Sequence, residues 1–166
     1  QNLPSGRFRK EYAFENWPGY NARMLENIKS AQQTKPFTKK IYASDILREN
    51  VLAAQTNARR ARVFSAIEFR VSDMQDLQIT SDNATVIINP PYGERLIQNN
   101  MDALYSMIGE RLKHQFAGNT AWILTSSNEY LKNIGLKPGK KIKVFNGALE
   151  CTYSKYELFR GKWAQK

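Results

Sequence analysis

An α/β domain built on a mostly parallel sheet is the fold this sequence predicts, and three observations carry the expectation. Short apolar runs alternate along the chain with segments of 3.6-residue periodicity, the pattern of strands joined by crossover helices. Residues 84–88 are apolar without alternation, as in a parallel strand covered on both faces. Two strand-like segments near the C-terminus flank Asn146-Gly147, which predicts an antiparallel hairpin at one edge.

Taken in order, residues 1–19 read as a loop-like arm punctuated by Pro4, Gly6 and Pro18-Gly19. Phe8, Phe14 and Trp17 are its candidate anchors. From Tyr20 the pattern turns helical. Tyr20, Met24, Leu25, Ile28 and Ala31 share one face, and Lys35-Pro36 ends the run because the residue before proline avoids the α region. Residues 41–44 form a short strand closing on Asp45. The next helix turns Leu47, Val51, Ala54 and Ala58 inward and ends in Arg59, Arg60 and Arg62. Ile67, Phe69 and Val71 alternate with Glu68 and Arg70, so this strand is half exposed and belongs near a sheet edge.

After the apolar strand, Asn89-Pro90-Pro91-Tyr92-Gly93 stops the chain abruptly. A third helix places Leu104, Tyr105, Ile108, Leu112 and Phe116 on one face, with Gly118 at its C-terminal end. Residues 120–125 read as another buried strand whose Trp122 joins Phe116 in the core. Residues 128–133 read as a short helix. Residues 141–145 and 151–159 are the last two strands, and their connection looks longer than a two-residue turn.

At 166 residues the chain is one ordinary domain, long enough to bury a core. Its 25 Lys and Arg against 15 Asp and Glu give a net charge of +10, which favours nucleic acid or an anionic surface as partner. The clusters Arg7/Arg9/Lys10, Arg59/Arg60/Arg62 and Lys137/Lys140/Lys141/Lys143 suit RNA phosphates, and equally suit a solvated face. Apolar stretches such as Val86-Ile87-Ile88 are too short to span a bilayer, so no membrane role is expected. One cysteine, Cys151, excludes an internal disulfide. One histidine, His114, leaves no Cys/His set for a metal and sits on a charged helix face, poorly placed for a Ser-His-Asp triad.

The strongest chemical signal is Asn89-Pro90-Pro91-Tyr92, because ligands of open α/β sheets sit outside the carboxyl ends of strands. Two prolines remove two backbone donors, so the turn presents acceptors only. Asn89 Oδ1 and the Pro90 carbonyl together suit the two hydrogens of an exocyclic amine. Such an amine is a poor nucleophile, since its lone pair is delocalised into the ring. Gripping both hydrogens favours the pyramidal geometry that frees the pair, and so stabilises the transition state selectively. Tyr92 is placed to stack on a planar base, and stacking of an extruded base is worth about 1–3 kcal/mol.

Asp45 ends one strand and Asp73 follows the next, in Val71-Ser72-Asp73. An acid at a strand's carboxyl end can accept hydrogen bonds from ribose hydroxyls, and a second can accept from an adenine amine. Each can also be no more than a helix cap. The ordered series of strand and Asp45, strand and Asp73, strand and Asn-Pro-Pro-Tyr favours a nucleoside cofactor.

In that order and spacing the chain resembles a class I S-adenosylmethionine-dependent methyltransferase with its Rossmann-like sheet. Asn89-Pro90-Pro91-Tyr92-Gly93-Glu94-Arg95-Leu96 resembles the bacterial THUMP-domain enzymes that methylate guanine N2 in large-subunit (23S) ribosomal RNA. Phe14-Glu15-Asn16-Trp17 is similar to that family's Phe-Glu-x-Trp segment, and Tyr42-Ala43-Ser44-Asp45 to its second strand. Thr56-Asn57-Ala58, Phe116-Ala117-Gly118, and Asn146-Gly147 with Leu149 and Cys151 recur as well. The resemblance implies that Asp45 binds the ribose of S-adenosylmethionine, Asp73 its adenine, and that Asn89, Pro90, Pro91 and Tyr92 hold the target base. It further implies RNA binding, ribosomal RNA processing and a cytoplasmic setting, with no metal.

Two departures from the family pattern stand out. Leu47 replaces an acid that many members carry two residues after Asp45. None of the nine glycines forms a Gly-x-Gly, so the glycine-rich loop that follows the family's first strand is not in this sequence. The resemblance therefore implies that residues 1–166 are one catalytic domain, incomplete at its N-terminal side and inactive on its own. It also implies a gap in the sheet between the strands ending at Asp45 and Asn89. Local chemistry alone leaves two alternatives: methylation of another amine or amide, such as adenine N6 in DNA or a protein glutamine, or a non-catalytic RNA-binding module.

Overall fold

The computed structural model describes residues 11–31, 37–78, 83–91 and 98–161. The chain divides into two compact units, residues 1–71 and 72–166.

In the first unit, the 3-10 turn Ala13–Asn16 sets Phe14 among Tyr12, Trp17 and Tyr20, with ring centroids 5.0, 6.5 and 6.1 Å away. Phe14 thus anchors the described part of the arm, whereas Trp17 is exposed; Phe8 lies outside the described residues. Helix α1 (Ala22–Ala31) follows. Its expected inward face is not covered: Met24 and Ile28 are exposed, and Leu25 is half-buried. Strands β1 (Ile41–Asp45) and β2 (Ile67–Val71) pair in parallel, from Ile41 opposite Ile67 to Asp45 opposite Val71. Helix α2 (Arg48–Arg60) makes the crossover that a parallel pair needs. It buries Val51 and Ala58 as the periodicity predicts, but Leu47 and Ala54 stay exposed. Arg59 lies over the Phe64 ring at 4.2 Å, and Phe64 stacks on Phe69 of β2.

The second unit holds β3 (Thr85–Ile88), α3 (Gln98–His114), β4 (Thr120–Thr125), β5 (Lys140–Asn146) and β6 (Leu149–Glu157). The sheet order is β3-β4-β6-β5, with β3 and β4 parallel and the other two pairings antiparallel. Period-2 alternation turns Ala121, Ile123 and Thr125 to the core. There they meet Tyr105, Ile108 and Leu112 of α3, Phe116, Tyr156, and Leu131 and Ile134 of the 3-10 helix Tyr130–Ile134. Fully burying one such side chain contributes roughly 1.5–3 kcal/mol, so this cluster dominates the unit's stability.

Three sequence expectations change here. Trp122 points to the face opposite Ala121 and Ile123, where it is half-buried and stacks on Tyr153 at 4.6 Å. β3 is packed on one face only: Val86 and Ile88 join the core, and Ile87 is 69% exposed. An apolar run registers what a strand can bury, not which faces are covered. The hairpin connection is also tighter than expected, because Asn146 pairs with Leu149 across Gly147-Ala148. Gly147 has φ +63°, the positive value a two-residue hairpin turn needs at its first central position.

Among the described residues no ladder joins the two sheets, and β1 and β3 each pair along one edge only.

Candidate functional site

The position of Asn89 is set from the other end of its strand. Asn119 Oδ1 accepts from the Ala84 N–H at 2.7 Å, while its Nδ2 donates to the Phe116 carbonyl at 3.0 Å. This buried amide ties the start of β3 to the loop before β4, and the ladder then runs to Ile88 opposite Ile123. The next residue, Asn89, emerges exposed at the carboxyl edge, followed by buried Pro90 and exposed Pro91. The Asn89 side chain has no partner among the described residues. It stands beside Pro90 and Pro91, which have no backbone N–H to donate to its Oδ1 or to the Pro90 carbonyl. Tyr92 and residues 93–96 lie outside the described residues.

Asp45 is half-buried at the last rung of β1 and β2. Its Oδ1 accepts from the Leu47 N–H at 2.8 Å and from Asn50 Nδ2 at 3.1 Å. Both bonds fall on one oxygen, so the carboxylate holds the entry to α2 and keeps Oδ2 for another donor. Asp73, two residues beyond Val71, repeats the arrangement: its Oδ1 accepts from the Gln75 N–H at 2.8 Å as the cap of the 3-10 turn Met74–Asp76. That turn is fixed in the second unit. Met74 and Leu77 pack on the core, and the Arg111 guanidinium donates to the Leu77 carbonyl. Asp73 is therefore a cap and Asp45 a tie on the chain entering α2, each with one uncommitted oxygen, which fits hydroxyl or amine donors of a nucleoside. The structure groups Asp73 with Asn89 in one unit and sets Asp45 in the other.

The remaining candidates carry no chemistry. His114 is exposed and faces Glu110 at 3.3 Å on the last turn of α3. Cys151 is buried on β6. Among the described residues no group of side chains could hold a metal ion, and no helix is long and apolar enough to cross a membrane. Arg7, Arg9 and Lys10 lie outside the described residues. Sequence reading missed Asn119, and its one available signal is a lone amide between Gly118 and an apolar strand.

The parallel β1-α2-β2 crossover and the mixed sheet of the second unit are the architecture of an α/β methyltransferase of the S-adenosylmethionine-dependent class. The chain belongs to the RMKL-like methyltransferase domain family, which it matches over residues 1–155. It is 37% identical over 164 residues to the ribosomal RNA large subunit methyltransferase K/L of Shewanella frigidimarina (strain NCIMB 400), covering 95% of this chain and 23% of that protein. The chain thus spans about a quarter of that relative's length. Among solved structures it is similar to SMU.472 complexed with SAH, at 28% identity and a TM-score of 0.78, over 93% of this chain and 42% of that one. It is also similar to a structure described as a predicted N6-adenine-specific DNA methylase from Listeria monocytogenes, at 28% identity and a TM-score of 0.62, over 71% of this chain and 30% of that one.

Proposed function

We propose that this chain is part of the catalytic domain of a longer enzyme that methylates the exocyclic N2 amine of a guanine in 23S ribosomal RNA. The observation that carries the reading is Asn89, exposed at the carboxyl end of β3 with an uncommitted side chain beside two donor-free prolines. The similarity to a ribosomal RNA large subunit methyltransferase supports RNA as substrate and a cytoplasmic setting, where ribosomes are made. The choice of N2 rests on the octapeptide beginning at Asn89.

S-adenosylmethionine supplies an electrophilic methyl group on a sulfonium. Asp45 Oδ2 would accept from the ribose hydroxyls and Asp73 Oδ2 from the adenine amine. Asn89 Oδ1 and the Pro90 carbonyl hold the two hydrogens of the guanine amine and turn its lone pair toward the methyl carbon. Tyr92 stacks on the base. As the nitrogen–carbon bond would form, the sulfur–methyl bond would break, leaving S-adenosylhomocysteine as a neutral thioether, and the proton would pass to water as the amine becomes secondary. Transfer requires nitrogen, carbon and sulfur nearly in line, and misplacement by about 1 Å can cost on the order of 100-fold. In this reading residues 1–166 form one domain that is incomplete and inactive alone, since the sequence has no Gly-x-Gly for the methionine end. Methyl transfer from labelled S-adenosylmethionine to ribosomal RNA by the full-length protein tests the proposal, and no incorporation would refute it.

The likeness to a protein described as an adenine-specific DNA methylase favours a second reading, adenine N6 in DNA. The same two acceptors serve either amine, so product analysis separates them.

A further inference from the structure

We infer that the β5–β6 hairpin is a platform for the RNA nucleotides flanking the target base, an assignment that rests on the RNA-methylation reading above. The sheet register carries it. Ile88 is opposite Ile123, Ile123 opposite Ser154, and Ser154 opposite Lys141, so these four share one row. Asn89 follows at the level of Leu124, Tyr153 and Ile142. β4 ends one row later, at Thr125, opposite Thr152, which pairs with Lys143. The hairpin does not end there: Phe145 and Asn146 continue past the carboxyl edge to the turn.

By strand rise, Phe145 stands about 10 Å beyond the level of Asn89, and by strand spacing β5 lies about 14 Å across the sheet from β3. That is a distance of a few nucleotides, so a strand whose base is held at Asn89 passes the hairpin. Alternation puts Lys141, Lys143 and Phe145 on the face that Ile88 and Ile123 share, about 7 Å apart in succession, with Lys140, Ile142 and Val144 on the other, so the path from Asn89 to them crosses the carboxyl edge of the sheet rather than running along one face. Lys141 and Lys143 are exposed, and Phe145 is 66% exposed. Lysines alone would do no more than guard an edge strand against pairing. An exposed aromatic at the tip serves no such purpose, but offers a stacking surface that accepts any base. The acidic neighbour on this face is Glu150, opposite Phe145 and paired with Lys143 at 3.0 Å. Both partners are more than half exposed, and such a pair is weak enough for a phosphate to displace.

The test is RNA affinity of the full-length protein at several salt concentrations, with S-adenosylmethionine affinity measured in parallel on every variant. Phe145→Ala should weaken binding of an RNA containing the target about tenfold, at an unchanged salt slope. Lys141→Gln with Lys143→Gln should reduce the slope of log K against log salt by about 1.4, at about 0.7 for each single-strand phosphate contact. Lys140→Gln, on the opposite face, should leave both unchanged. The inference is overturned if wild type methylates RNA while the Phe145 and double-lysine variants bind it normally. It is equally overturned if Lys140→Gln shifts the slope as much as Lys141→Gln does. A wild-type protein that transfers no methyl group to RNA refutes the underlying reading instead.

Discussion

A Cβ on Gly109 would overlap the carbonyl oxygen of Ile134. Helix α3 and the 3-10 helix Tyr130–Ile134 therefore meet backbone to backbone, at a residue whose missing side chain makes the contact possible. Gly109→Ala gains about 1 kcal/mol of helix propensity, but forces a shift of packed backbone. Overpacking of this kind costs about 1–3 kcal/mol or more, so the variant should be less stable despite its better helix former. A thermal shift on the full-length protein checks the sign, and a higher midpoint would contradict the packing.

Asn119→Ala should loosen the start of β3. It leaves the part-buried Ala84 N–H and the buried Phe116 carbonyl without their partner, at up to about 1–3 kcal/mol for each unsatisfied group. Hydrogen exchange should show lost protection at the Ala84 amide and along β3. Unchanged protection would show that the amide does not hold the strand.

On the proposed reading, Asp45→Ala removes two functions at once. It should weaken S-adenosylmethionine binding by roughly 1.5–3 kcal/mol, the worth of a charge-assisted hydrogen bond, and fray the first turn of α2. Calorimetry on the full-length enzyme separates the two. An unchanged dissociation constant with a less stable helix would reduce Asp45 to a cap.

Tyr156 gives an alkaline signature. Burial pushes its pKa up to about 12, the nearby Ser154 hydroxyl partly opposes this, and Tyr105 adds to the rise. The neutral phenol is the form the fold tolerates, so its contribution is complete below the ordinary tyrosine value near pH 10. It is lost as pH rises through about 12. Above pH 10 wild type should lose stability faster than Tyr156→Phe, read from urea midpoints, and parallel curves would contradict the assignment.

Much of this fold was legible because periodicity reports local geometry. Among the described residues each expected strand and helix is present, and Thr120–Thr125 matches to the residue, whereas the last strand runs Leu149–Glu157, two residues earlier than expected. What was not legible depends on long-range cover. Met24, Ile28 and Ile87 are apolar by sequence yet exposed among the described residues, since a pattern states what can be buried and not what arrives to bury it. Trp122 reads as a core residue by its type, but alternation relative to Ile123 decides its face. Asp45, at the end of β1, and Asp73 and Asn89, just beyond β2 and β3, were legible as polar residues at strand ends. The splitting of each acid into a capping oxygen and an uncommitted one was not, because it depends on where the Leu47 and Gln75 amides point.

The octapeptide beginning at Asn89 also frames the kinetic prediction. Asn89→Ala in the full-length enzyme should lose on the order of 100-fold in turnover, as when one preorganised group is removed from a transition-state site. Its affinity for S-adenosylmethionine should be kept. Wild-type turnover would show that the amine is held elsewhere.

The most direct measurement is nucleoside mass spectrometry of 23S ribosomal RNA from a strain lacking the gene, complemented with wild type or with Asn89→Ala. The account predicts a deficit of N2-methylguanosine that wild type restores and Asn89→Ala does not. Undiminished N2-methylguanosine in the deletion strain, with a deficit of N6-methyladenine in its DNA, would contradict it.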